Sequence, residues 1–370
     1  MLLFWIIALV VIAALVVAGF IFIPAALAAV TPQNFAASAS VGDFVTVTID
    51  HLLKTIAYVN VTNGVTGTVT YTINKDGTYD VTDSTGNITN ALEIPGYQIM
   101  LLMNKAGPSA NEQALVVGVL SDSTTITASS SGEYNYMKFR TSNGGFLSGA
   151  LVMTNGVMIN TGFSSLSRAV QPAESRDVAQ TGSANVSAHG TVVVTLPAVV
   201  SSNHIVPRAT AAITTVFASG NGFLTIDDDA GSTICMKQAG GAAFSASSAA
   251  TYTALFYSKP DVMLSGGTET GAILVGKCSI VVTAAALVTV TNIVTNAVMF
   301  SGTVTPFSSD TSIVGSSTGM INNPCNGLFR FTNSTQEFVI TFFGKSILFG
   351  SVNSVSSTEY SYFYGAGLSL

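Results

Sequence analysis

Gly315-Ser316-Ser317-Thr318-Gly319 has the G-x-S-x-G spacing of a hydrolase nucleophile elbow. That chemistry needs a strand before the serine, a helix after it, and then an acid and a histidine in chain order. Met320 to Gly327 (MINNPCNG) is a poor helix former, and no histidine follows His204. The pentapeptide therefore reads as a Ser/Gly loop. Gly271 to Lys277 followed by Cys278 (GAILVGKC) approaches a phosphate-binding loop, but Cys278 stands where a Mg²⁺-binding hydroxyl is needed. It reads as a strand with glycine ends. His51, His189 and His204 are far apart in sequence and form no ligand spacing. Asp227-Asp228-Asp229 after a strand could offer oxygens to a hard cation, but it reads first as a solvated turn. Neither a catalytic site, a metal site nor a cofactor is expected.

Composition sets wider limits. The chain has 370 residues, of which 9% are charged, against a globular norm of about 25%. Thirteen basic residues face 19 acidic ones, which argues against nucleic acid, since phosphate binding needs clustered Lys and Arg. With 48% hydrophobic residues the chain is not disordered. Abundant Ser, Thr, Gly, Ala and Asn suit an extracellular β protein with a surface of hydroxyls and amides. Sequons at Asn60, Asn87, Asn185 and Asn333 make these candidate N-glycosylation sites. Cys235, Cys278 and Cys325 permit one disulfide and one leftover thiol, or buried free thiols.

Period-two alternation, as in Phe44 to Asp50 (FVTVTID), marks half-buried strands. Further strands are expected at 56–61, 65–73, 78–82, 114–120, 124–128, 134–140 and 149–158. Asn74-Lys75-Asp76-Gly77 supplies a hairpin turn. Ala169 to Gly190 interrupts the rhythm with Pro172 and several of the sparse charges, so it reads as a linker. After it, strands are expected at 191–196, 212–217, 223–226, 251–257, 280–294, 300–305, 328–332 and 338–342. Spacing and turn chemistry suggest β-sandwich or jelly-roll-like domains. The expected organisation is an apolar N-terminal helix at 1–30, a connector at 31–42, a first β domain at 43–168, a linker at 169–190 and a second β domain at 191–370.

Met1 to Val30 holds no charge; the first charged residue is Asp43. The run exceeds the roughly 20 apolar residues that span a bilayer, and no polar stripe interrupts it, so every face must be buried. It lacks the basic start of a signal peptide and the basic flanks of an ordinary anchor. An uninterrupted apolar helix ahead of a β-rich head resembles the type IV pilin superfamily, nearest in character to archaeal pilins, archaellins and adhesion-filament subunits. Trp5 stands where bacterial pilins carry Glu, which points to the archaeal branch.

The resemblance implies a structural, non-enzymatic subunit of an extracellular filament, a helical homopolymer at the cell surface. Met1, Leu2, Phe4, Trp5, Ile6, Leu9, Ile12, Leu15, Phe20 and Phe22 would pack into the filament core, after a stay in the membrane before assembly. The β heads, glycosylated or not, would face outward. Two alternatives are a capsid protein of a membrane-containing virus and a membrane-anchored surface-layer or adhesion protein.

Overall fold

A computed structural model describes residues 32–82, 88–94, 98–103, 113–121, 131–140, 145–154, 157–160, 180–181, 183–186, 192–196, 212–219, 222–228, 231–239, 243–263, 273–306, 326–354 and 359–369. These residues form three consecutive antiparallel β meanders. The first is a closed barrel, barrel A. Its strands are β1 (Gln33–Ala39), β2 (Phe44–Asp50), β3 (Thr55–Asn60), β4 (Thr66–Ile73), β5 (Thr78–Thr82), β6 (Ile88–Ile94), β7 (Gln98–Met103) and β8 (Ala114–Leu120). Closure comes from β1 pairing with β8, Phe35 opposite Leu120. A closed barrel leaves no unpaired edge strand.

Barrel B follows. It holds β9 (Gly132–Arg140), β10 (Gly145–Thr154), β11 (Val157–Asn160), β12 (Gln180–Thr181), β13 (Ser183–Val186), β14 (Val192–Leu196), β15 (Ala212–Ser219), β16 (Phe223–Asp228) and β17 (Gly231–Lys237). Barrel C holds β18 (Ala250–Met263), β19 (Leu274–Val282), β20 (Leu287–Asn292), β21 (Val298–Thr303), β22 (Thr305–Pro306), β23 (Leu328–Thr332), β24 (Gln336–Phe343), β25 (Ser346–Ser354) and β26 (Glu359–Ser369).

The two nine-stranded sheets share one topology: first and last strands pair, and the fourth and fifth are the ends of the sheet. Every pairing is antiparallel, including β9 with β17 and β18 with β26. Strand direction alternates at each pairing, so β12 and β13 must run the same way, and so must β21 and β22. Each duo is one course of chain. It bonds first to the neighbour on one side (Ile159 opposite Thr181, Leu287 opposite Thr303) and then to the neighbour on the other (Ser183 opposite Thr195, Thr305 opposite Arg330). Barrels B and C are thus nearly closed up-and-down barrels completed by a strand that changes partner.

Burial explains the sequence pattern. In β2 (FVTVTID) inward Val45, Val47 and Ile49 are buried and the residues between them are half-exposed. In β7 (QIMLLM) and β8 (ALVVGVL) both faces are covered, and apart from Gln98 the sequence is apolar throughout. One set of side chains from these strands fills barrel A, including Ile99, Leu101 and Val116. The other set, including Leu102, Leu115 and Val117, joins a cluster between the barrels with Phe217, Ile234 and Met236 of B and Leu255, Leu348 and Tyr362 of C. Each large aliphatic side chain so buried contributes about 1.5–3 kcal/mol, so the shared seam makes the three barrels one body.

Polar bonds key each junction. Ser38 donates to Asp227 Oδ1 at 2.6 Å between A and B. Asn135 Nδ2 donates to Asn326 O at 2.8 Å and Thr341 Oγ1 at 3.0 Å between B and C. Lys277 Nζ lies 3.4 Å from Asp80 Oδ1 between C and A.

This architecture corrects the expected fold class. The described residues are β throughout, apart from one 3-10 turn at Ala246–Ser248, and they close into barrels instead of stacking as sandwiches or jelly rolls. No helix among them is long and apolar enough to cross a membrane. The expected helix at 1–30 lies outside the described residues. The sheets change at 121–131 and 238–249; the stretch 169–190, read as a linker, contains β12 and β13 of barrel B, and the connector 31–42 contains β1.

Candidate functional site

The principal polar cluster inside a barrel lies at one mouth of barrel A. His51 is the first residue after β2. Asp50 Oδ1 accepts the amides of Leu52 and Leu53, each at 2.9 Å, which fixes the turn and aims the imidazole inward. Lys54, at φ 53, completes the turn and accepts the Tyr71 amide at 3.0 Å. Tyr71 of β4 and Tyr79 of β5 face inward and stack, ring centroids 4.5 Å apart and planes 14° from parallel. Glu93 of β6 lies beneath them.

The bonding is dense. Tyr79 donates its hydroxyl to Glu93 Oε2 at 2.8 Å. His51 Nε2 lies 3.3 Å from the same oxygen, and His51 Nδ1 lies 2.9 Å from the Tyr71 hydroxyl. Glu93 Oε1 has no partner among the described residues. Burial raises the Glu93 carboxyl above its usual range, against the opposing pull of Tyr79 and His51. Burial, then the Glu93 and Asp50 charges, push Tyr71 up to about 12. Tyr79 is raised further for the same first reason, with Glu93 second.

The Glu93 side chain is fully covered, while a quarter of His51 reaches solvent. The arrangement can store a proton and tie the β2–β3 turn to the barrel wall. The carboxylate itself is closed to solvent. It is a polar stopper.

The far mouth of barrel A is also polar. Asn60 Nδ2 donates to Asp43 Oδ2 at 2.7 Å, and Asn60 Oδ1 accepts the amides of Thr62 and Asn63. The sequon residue Asn60 is thus buried with its amide nitrogen in use. Asn333 is exposed in the turn after β23, Asn185 lies in β13, and Asn87 is outside the described residues.

Barrel C is filled. Phe300 and Phe338 stack at 3.9 Å inside it, with Phe329, Phe342, Phe349 and Phe363 around them. At one mouth a recess of about 330 Å³ is lined by Ser245, Ser247, Ser248, Phe329 and Phe342, with no charged side chain among the described residues of its walls.

Cys235 and Cys278 are buried free thiols, both raised by burial, and Cys325 lies outside the described residues. Gly276, Lys277 and Cys278 sit within β19, as a strand reading of GAILVGKC requires. His189, His204 and residues 315–319 are outside the described residues, as are the ten apolar positions from Met1 to Phe22. Among the described residues no three His, Cys, Asp or Glu side chains gather closely enough to hold a metal. Sequence reasoning missed Glu93; the signal was an acid within the apolar stretch ALEI.

No protein family and no curated protein matches the chain by sequence. Among solved structures it is similar to transferrin binding protein B from serogroup B Neisseria meningitidis, at 11% identity over 89% of this chain and TM-score 0.29. It is also similar to a double mutant of transferrin binding protein B from Haemophilus parasuis, at 7% identity over 88% of this chain and TM-score 0.25. The chain spans 66% and 65% of those proteins. Similarity this slight assigns no function.

The expected membership of the type IV pilin superfamily is corrected here. The described body is three β-barrels, with no helix longer than one 3-10 turn among the described residues.

Proposed function

We propose that the chain is a non-enzymatic, membrane-anchored protein of the cell surface, of the surface-layer or adhesion kind. The observation that carries this reading is the joining of an uncharged apolar segment, Met1 to Val30, to a body of three barrels. The barrels bury a common seam, and barrels A and C are packed with side chains. Such a body suits display and contact better than transport or turnover. Sparse charge and a surface of Ser, Thr and Asn support an extracellular setting, with Asn333 exposed for a glycan and Asn60 closed to one.

Alkaline extraction of membranes tests the reading. The full chain stays with the membrane. A double variant, Leu9→Arg with Leu15→Arg, is released, because each charge in hydrocarbon costs about 2.5–3.5 kcal/mol on insertion scales. Release of the unaltered chain would contradict the proposal.

A further inference from the structure

Strand register identifies the end of barrel A from which the apolar segment departs. Gln33, at the start of β1, is opposite Ile49, near the end of β2. The chain before Pro32 therefore leaves at the end that carries the β2–β3 turn (51–54) and the β4–β5 turn (74–77). Those turns raise aliphatic side chains into solvent: Leu52 and Leu53 are each 67% exposed, and Ile73 is 59% exposed. Lys54 and Lys75 stand exposed beside them. The Asp50 bonds to the Leu52 and Leu53 amides hold both leucines outward while His51 turns in.

Barrel C extends the same side. Lys277 Nζ reaches Thr78 Oγ1 at 3.5 Å, directly after the 74–77 turn, and Lys277 O accepts the Ile293 amide at 3.1 Å. Ile293 opens the β20–β21 turn, where Val294 is 77% exposed and Val298 is exposed as well. Aliphatic tips with lysines at their edges fit a lipid surface: the alkyl groups enter the acyl boundary and the ammonium groups stay with the phosphates.

Tether length selects the occupant. Only Thr31 and Pro32 separate Val30 from β1, and two residues span at most about 7 Å. If the apolar segment lies in a bilayer, the 51–54 turn cannot be far from its surface. We propose that this end of barrel A, together with the 293–297 turn of barrel C, lies directly on the bilayer, with Leu52, Leu53, Ile73 and Val294 in its interface. The inference rests on the membrane-anchored reading.

Trp5 is the chain's single tryptophan, so fluorescence can test both claims separately. The full chain is reconstituted in phosphatidylcholine–phosphatidylglycerol vesicles with brominated acyl chains. Trp5 emission reports the anchor. In a Trp5→Phe background, Leu53→Trp, Ile73→Trp and Val294→Trp report the docked end, and Val65→Trp, in the turn at the opposite end of barrel A, is the control. The three probes are expected to shift to the blue and lose most of their emission, the control to do neither. If Trp5 is quenched but the three probes behave like Val65→Trp, the docking is overturned and the anchor stands. Probes that shift to the blue without quenching would mean that protein covers this face, which also overturns it. An unquenched Trp5 removes the anchored reading itself.

Discussion

Tyr79 donates a hydrogen bond from its hydroxyl to Glu93 Oε2 at 2.8 Å inside barrel A, with His51 Nε2 3.3 Å from the same oxygen. A carboxylate buried this fully is costly unless paired, and its second oxygen has no partner among the described residues. Glu93 therefore holds its proton more tightly in the folded chain than in the unfolded one. Across the window from the ordinary value of 4.5 up to the raised folded value, unfolding releases a proton, so stability falls as pH rises. Glu93→Gln cannot titrate. Its stability relative to the unaltered chain should improve as pH rises from about 4 to about 8, measured by urea denaturation midpoints. A difference that stays flat or runs the other way would contradict this account of the stopper.

Barrel C depends on packing. Phe300 and Phe338 lie face to face, 3.9 Å apart and 6° from parallel, in a core of phenylalanines. Phe338→Ala should cost about 3–5 kcal/mol, because the surrounding rings cannot collapse into the space. Phe338→Leu should cost clearly less. Denaturant titration with an unchanged m-value checks both.

The junctions between barrels should differ in strength. Asn135 is fully buried and bonds Thr341 and the Asn326 carbonyl. Asn135→Ala strands those groups and should cost about 1–3 kcal/mol. Lys277→Ala removes a pair whose Asp80 is half-exposed and should cost less than about 1 kcal/mol. Thermal unfolding of the two variants side by side gives the order; equal losses would contradict it.

Gly365 tests the crowded seam between β18 and β26. A Cβ there would meet the Leu255 carbonyl and the Phe349 ring, and a backbone oxygen has nowhere to move. Gly365→Val should abolish cooperative unfolding of the body. Gly344→Ala meets open space and only pays for its φ of 58, about 1–2 kcal/mol. Calorimetry separates the two outcomes.

Much of the strand content was legible. FVTVTID and TGTVTYTI alternate because one face is wet, and their burial follows that alternation. Closure was not legible. Alternation tells which side chains point inward but not whether the last strand returns to the first, so barrels and sandwiches look alike in sequence. Strand β26 (EYSYFYGAGLS) is absent from the expected strands; its Gly365 and Gly367 interrupt the apolar pattern, and both are small to let β18 approach. Strand β1 (QNFAASA) passed as connector for a similar reason: Ala37 and Ala39 leave room inside barrel A. The Glu93 site was hidden because its four members come from a turn and three strands. Only the register of β4, β5 and β6 brings Tyr71, Tyr79 and Glu93 to one mouth.

The central claim is display of this body on the outside of a membrane. Lys345 is exposed on it, in the β24–β25 turn at the end of barrel C away from the 293–297 turn, so an impermeant amine-reactive label applied to intact cells, followed by peptide mapping, tests the claim directly. The account predicts that Lys345 labels before lysis and that the labelled chain sediments with membranes. Labelling that appears only after lysis would contradict it.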